Sequence, residues 1–223
     1  MERHSHEELR ALTARVADLG TLVESRTRDA LTALVERRSD LAVQVASSDP
    51  AVNQLELEID DWCIRFLATQ SPVASDLRLV RSVLKVITDL ERVGDQAVNM
   101  AQTTIGLLVM PPLRPVLDIR TLGETALQML NDSVRAFVTQ DVGLGQTVLE
   151  RDDRADALRD SIFRVLLTHM MADPGVIERA LGLIIISRCL ERIADHATNI
   201  AEETAFAAEG RVLRHGGGAL AAE

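Results

Sequence analysis

Apolar residues recur every three or four positions along most of the chain. Leu9, Leu12, Val16, Leu19, Val23, Ala30 and Leu34 trace one stripe over residues ~5–37, the spacing of an amphipathic helix. Arg38-Ser39-Asp40 interrupts the stripe, and a short helix over residues ~40–48 is expected next. Asp49-Pro50 marks a turn and a fresh start. A further helix, ~51–70, runs through Leu55, Ile59, Trp62, Phe66 and Leu67. Ser71 reads as an N-cap with Pro72 in the first turn, and a long helix follows over ~72–106.

The segment GLLVMPPLRP cannot continue that helix, because its three prolines remove donors and clash with the preceding turn. It predicts a linker, residues 106–115, between a first bundle at 1–105 and a second at 116–208. The plan then repeats. A helix is expected over ~116–139. Gly143 and Gly145 weaken the segment leading into another over ~146–171. Asp173-Pro174 restarts the chain for a last helix over ~174–208. The Gly-rich tail, 209–223, reads as flexible. Short turns between three main helices per half favour antiparallel neighbours. The expected fold is all-α: two tandem three-helix bundles related by pseudo-two-fold symmetry.

Composition agrees. The chain is 47% hydrophobic with no Tyr, one Trp and four Phe, a core of aliphatic side chains rather than a sheet. Its formal net charge of −10 argues against a nucleic-acid partner, which requires a basic face, and permits cations. The N-terminus is too charged for a signal peptide and no apolar run reaches ~18 residues, so a cytoplasmic protein without membrane insertion is expected. Cys63 and Cys189 lie in apolar runs outside any CxxC pair and read as buried free thiols.

Two stretches carry the chemistry. Residues 90–101 read LERVGDQAVNMA and residues 190–201 read LERIADHATNIA. Each sets an acid, a second acid and an asparagine in one row of a helix: Glu91, Asp95 and Asn99, then Glu191, Asp195 and Asn199. The preceding helix of each half carries another acid pair, Glu56/Asp60 and Asp156/Asp160, with Asp60 as far before Glu91 as Asp160 is before Glu191. Like charges at this spacing cost roughly 0.2–0.5 kcal/mol per pair even on an exposed helix. A divalent cation reverses that sign, and hard oxygen ligands suit Mg, Ca, Mn or iron. The competing view is a set of solvated faces, since Arg92, Arg192 and Arg164 stand within reach of Asp95, Asp195 and Asp160. Glu56, Asp60 and Glu91 have no such basic neighbour.

Other residues carry plainer expectations. His196 follows Asp195 by one position, about 100° around the helix, and is expected on the surface. His169 reads as a cap or packing residue, and Arg78, Arg81 and Lys85 as a solvated basic row. Asp76 suits the dipole of its helix's first turn. No phosphate-cradling loop, GxSxG or HExxH is present. A carboxylate-bridged di-metal enzyme is the alternative, but such bundles add Glu-x-x-His pairs that the four acid pairs lack. A scaffold whose acids attract basic partner surfaces is a third.

With SPVASDLRLV ahead of the first motif, the duplicated LER-x-x-D-x-x-x-N segments resemble the PhoU family of phosphate-signalling regulators, from about residue 5 to about residue 208. The resemblance implies two three-helix bundles and multinuclear metal clusters held by paired E(D)xxxD motifs. Those motifs match Glu56/Asp60, Glu91/Asp95, Asp156/Asp160 and Glu191/Asp195, with Asn99 and Asn199 as secondary candidates. The implied ions are of the divalent or iron type: Fe, Mn, Mg or Zn. Also implied is a negative regulator of the phosphate-starvation response. It would be a cytoplasmic homodimer, not an enzyme, that connects a phosphate ABC transporter to a membrane sensor histidine kinase. The halves are not identical: Asp76 has no acidic counterpart, Gly94 is matched by Ala194, and Cys189 stands where Asp89 does.

Overall fold

Periodic apolar stripes become helices, and the long ones carry the core. The computed structural model describes residues 2–47, 49–113, 117–214 and 217–220. The first half comprises α1 (Glu2–Val35), α2 (Ser39–Ala46), α3 (Asp49–Gln70) and α4 (Ala74–Leu108). The second comprises α5 (Leu117–Thr139), α6 (Val142–Leu149), α7 (Asp152–Ala172) and α8 (Ile177–Glu209), with a 3-10 turn at Pro174–Val176 before α8. The pattern is the expected all-α repeat of three long helices, with one short helix in each half.

Helix ends follow local chemistry. Asp141 caps α6, its carboxylate accepting from Leu144 N at 2.9 Å. Asp173 caps the 3-10 turn by accepting from Gly175 N at 2.8 Å. Gly210 ends α8 at φ 70, the left-handed region where glycine carries no Cβ penalty.

Several boundaries differ from the sequence reading. The helix expected over ~146–171 is two, because α6 already runs from Val142 through Gly143 and Gly145 and the chain breaks at Glu150-Arg151. Gly145 sits inside α6 because its bare Cα lets it lie against Ala201 of α8. Ser71 is not the cap of α4: it takes a left-handed φ of 45, and the helix starts three residues later at Ala74. Residues 106–108 of the expected linker continue α4 and Leu107 is buried, while 114–115 lie outside the described residues. The tail is not featureless: β1 (Val212–Arg214) pairs antiparallel with β2 (Gly217–Leu220). Tail residues 215–216 and 221–223 are outside the described set.

α4 and α8 pack against each other at the centre, α1 and α5 lie on them, and α3 and α7 flank α4 and α8 respectively. Leu90, Met100, Ile193 and Ile200 belong to one hydrophobic core that runs through both halves. Each fully buried Leu, Ile or Val contributes about 1.5–3 kcal/mol of transfer free energy. The α4–α8 seam also carries a polar tie. Glu203 of α8 accepts from Arg81 Nη1 and Lys85 Nζ at 2.7 Å and from Ser82 Oγ at 2.9 Å. Arg81 lies over the Phe206 ring at 4.2 Å. The expected solvated basic row therefore has two of its members, Arg81 and Lys85, committed to the contact between halves.

Candidate functional site

Burial fixes how α7 meets α8. Val52, Ile59 and Cys63 of α3 are buried, and Ala155, Ile162 and Leu166 of α7 are buried at one constant interval, which also relates the helix starts Asp49 and Asp152. That interval is about one helical turn more than the spacing relating Leu90 to Leu190, both also buried. The α7–α8 hairpin is thus about a turn shorter than the α3–α4 hairpin. The structural counterparts of Glu56 and Cys63 are therefore Arg159 and Leu166, and Asp156 stands where the first half has Asn53.

This shift changes the acid set of the second half. Asp195 feels Asp152 and Asp156, and Glu191 feels Asp195 and Asp156. Asp160 faces outward and pairs with its neighbour Arg159, at 2.7 Å from Nη1. Asp152, nearly buried at the first turn of α7, is the residue that sequence reasoning passed over. Its only sequence signal, the i, i+4 spacing from Asp156, is shared by Asp160 and does not choose between them.

Arg159 lies among these carboxylates. Its Nη2 stands 3.6 Å from Asp156 Oδ1 and 3.3 Å from Glu191 Oε1, so one guanidinium spans α7 and α8. Its Nε is buried without a hydrogen-bond partner. Partial burial, then the charge of Asp195, pushes the Glu191 carboxyl above its ordinary range, with Arg159 opposing. Asp195 keeps contact with solvent, yet partial burial of its carboxyl and the charges of Asp152 and Asp156 push it up as well.

In the first half α3 packs on α4 with Val52 against Gly94, where an added Cβ would lie 3.2 Å from Val52 Cγ1. This register sets the turn carrying Glu56 beside the turn carrying Glu91. Glu56, Asp60, Glu91 and Asp95 are all half-buried. Burial and the neighbouring Asp60 charge push the Glu56 carboxyl up. Among the described residues, Glu56 and Asp60 take part in no ion pair. The position matching Arg159 holds Glu56 itself, and Cys63, further along α3, is fully buried, its thiol pushed up to about 12 by burial and by Asp60.

The asparagines part company with the acids. Asn99 is exposed. Asn199 reaches across to α4, where its Nδ2 donates to Asp89 Oδ1 at 3.1 Å. His196 is not a surface residue: its Nδ1 stands 2.8 Å from the same Asp89 oxygen, and both side chains are largely buried. The one-position offset that turns His196 away from Asp195 aims it into the seam, where the Asp89 carboxylate replaces water. Arg92, Gln96, Asp152, Arg192, Asp195 and His196 line an open cleft beside it.

The donor chemistry of both clusters, carboxylates partly withdrawn from water, suits a hard divalent cation. Their placement fits less well. Among the described residues no three His, Cys, Asp or Glu side chains are drawn together as ligands of one ion. In the second half the guanidinium of Arg159 stands between the two helices where such an ion would sit.

The PhoU domain matches this chain twice, over residues 16–104 and 119–204. A phosphate-specific transport system accessory protein PhoU homolog from Pseudomonas putida is 40% identical over 94% of this chain and 82% of its own length. The accessory protein PhoU of Escherichia coli is 35% identical, over 95% of this chain and 88% of its own. A crystal structure of PhoU from Pseudomonas aeruginosa superposes with a TM-score of 0.89 at 38% identity, covering 92% of this chain and 99% of that one. The phosphate transport system regulatory protein PhoU from Streptococcus pneumoniae gives 0.87 at 28% identity, covering 94% and 99%.

Proposed function

The chain belongs to the PhoU family, and from that premise we propose that it is an accessory protein of phosphate transport. In this reading it represses phosphate uptake and the starvation response. It acts as a homodimeric adaptor at the cytoplasmic face, between a phosphate ABC transporter and a sensor histidine kinase. The observation that carries the proposal is likeness over both halves, with the two LER-x-x-D-x-x-x-N segments on the central helices α4 and α8. Relatives bear the names of accessory and regulatory proteins, which supports an adaptor rather than an enzyme. Among the described residues no helix is long and apolar enough to cross a membrane. The test is a deletion strain grown in high phosphate. Starvation genes should be expressed there, and normal repression would remove the regulatory role.

The same proposal assigns Glu56, Asp60, Glu91 and Asp95 to one or more divalent or iron-type ions. Its support is the cost of half-buried like charges on packed helices, seen in the upward push on Glu56. Elemental analysis of protein purified with its native ions reads this directly. Glu91→Ala/Asp95→Ala should lower the metal content, and unchanged content would refute the assignment.

A further inference from the structure

Both halves set acids on two packed helices, yet differ at the α3 or α7 position beside the first acid of the LER motif. The first half has Glu56 there, a half-buried carboxylate. The second has Arg159, whose guanidinium contacts Asp156 and Asp160 on its own helix and Glu191 on the next. We propose that Arg159 is a built-in counter-ion that closes the second acid cluster, Asp152/Asp156/Glu191/Asp195, so that only the first cluster takes a divalent cation. The inference rests on the cation reading of the family's acids and limits it to one half.

The argument is one of charge and place. A planar guanidinium presents several donors in a fixed fork and can serve carboxylates from two helices at once. Arg159 does this from the turn that follows Asp156, so its cation sits inside the cluster without leaving its own helix. A divalent ion entering there would have to expel the guanidinium, and both positive charges would then share one partly desolvated space. In the first half the matching side chain is itself a carboxylate, Glu56, and Glu56 and Asp60 have no ion-pair partner among the described residues.

The test uses the full chain, Mn2+ by equilibrium dialysis with elemental analysis, and circular dichroism to confirm folding. Arg159→Met should bind about one more Mn2+ per chain than wild type, with the carboxylates now free to act as hard ligands. Arg159→Met/Glu191→Gln should lose that added ion. Glu191→Gln alone should leave the Mn2+ content of the wild type as it was. Equal Mn2+ in folded Arg159→Met and wild type overturns the proposal. So does a loss of Mn2+ in Glu191→Gln, which decides the matter even where the arginine variant fails to fold. Glu56→Gln reports separately on the first cluster. A wild type without metal there, together with a gain in Arg159→Met, would sink the cation reading of the first half and keep the role of Arg159.

Discussion

Cys63 illustrates how much a single position can say. It is fully buried, Cys189 nearly so, and burial pushes both thiols up. In folded protein near neutral pH neither should react with a colorimetric thiol reagent, and both should react in guanidinium. Rapid labelling of the native chain would contradict that burial. Asp89 is equally specific: its side chain is 13% exposed and its carboxylate is shared by His196 and Asn199. His196→Ala should cost about 1–3 kcal/mol in urea unfolding, because it leaves a buried carboxylate short of a partner. An unchanged midpoint would mean that water replaces the imidazole. At this scale the sequence was legible where spacing is rigid. Glu91, Asp95, Glu191 and Asp195 stand on helices that match residue for residue, so their pairing could be read directly. Asp152 could not, because acids recur at several i, i+4 spacings on α7 and only burial selects the inward pair. The partner of His196 was hidden too, since Asp89 comes from the other half of the chain.

Between elements, the contact of α1 with α5 uses one glycine on each helix. An added Cβ on Gly20 would lie 2.6 Å from Val134 Cγ1, and one on Gly123 would lie 2.6 Å from Leu31 Cδ2. Gly20→Ala should destabilise by about 1–3 kcal/mol, the cost of overpacking against a stiff β-branched neighbour. Gly123→Ala should cost less, because the end of a leucine can move aside. Gly106 lies near the end of α4, and a Cβ added there would meet no heavy atom within 4 Å, so Gly106→Ala should gain about 0.5–1 kcal/mol. Thermal melts of the three variants check the order. The long helices were legible because their apolar stripes are long and regular. The breaks were not. Gly143 and Gly145 look like helix breakers until α8 is seen packed against Gly145, and Ser71-Pro72 mimics a cap that the backbone places two residues further on, at Val73.

For the whole molecule, the consequence of one core shared by both halves is cooperative unfolding. Calorimetry of the intact chain should show a single transition. Two resolved transitions would mean that the α4–α8 seam is weaker than its packing indicates. Glu203 tests that seam directly. Its carboxylate has three donors from α4, and Glu203→Ala should cost about 1–3 kcal/mol, the range for hydrogen bonds to a charged group. The overall fold was therefore the most legible level and the meeting of its halves the least, because repeats within a sequence record likeness and not contact. One asymmetry survives at this scale. A guanidinium tethered to the chain cannot dissociate, so its hold on Glu191 obeys no mass action and does not vary with ion supply. On the proposed reading, a cell that runs short of divalent cations would empty the half built around Glu56 and leave the half built around Arg159 electrically unchanged, so that scarcity would be written into one side of the molecule alone.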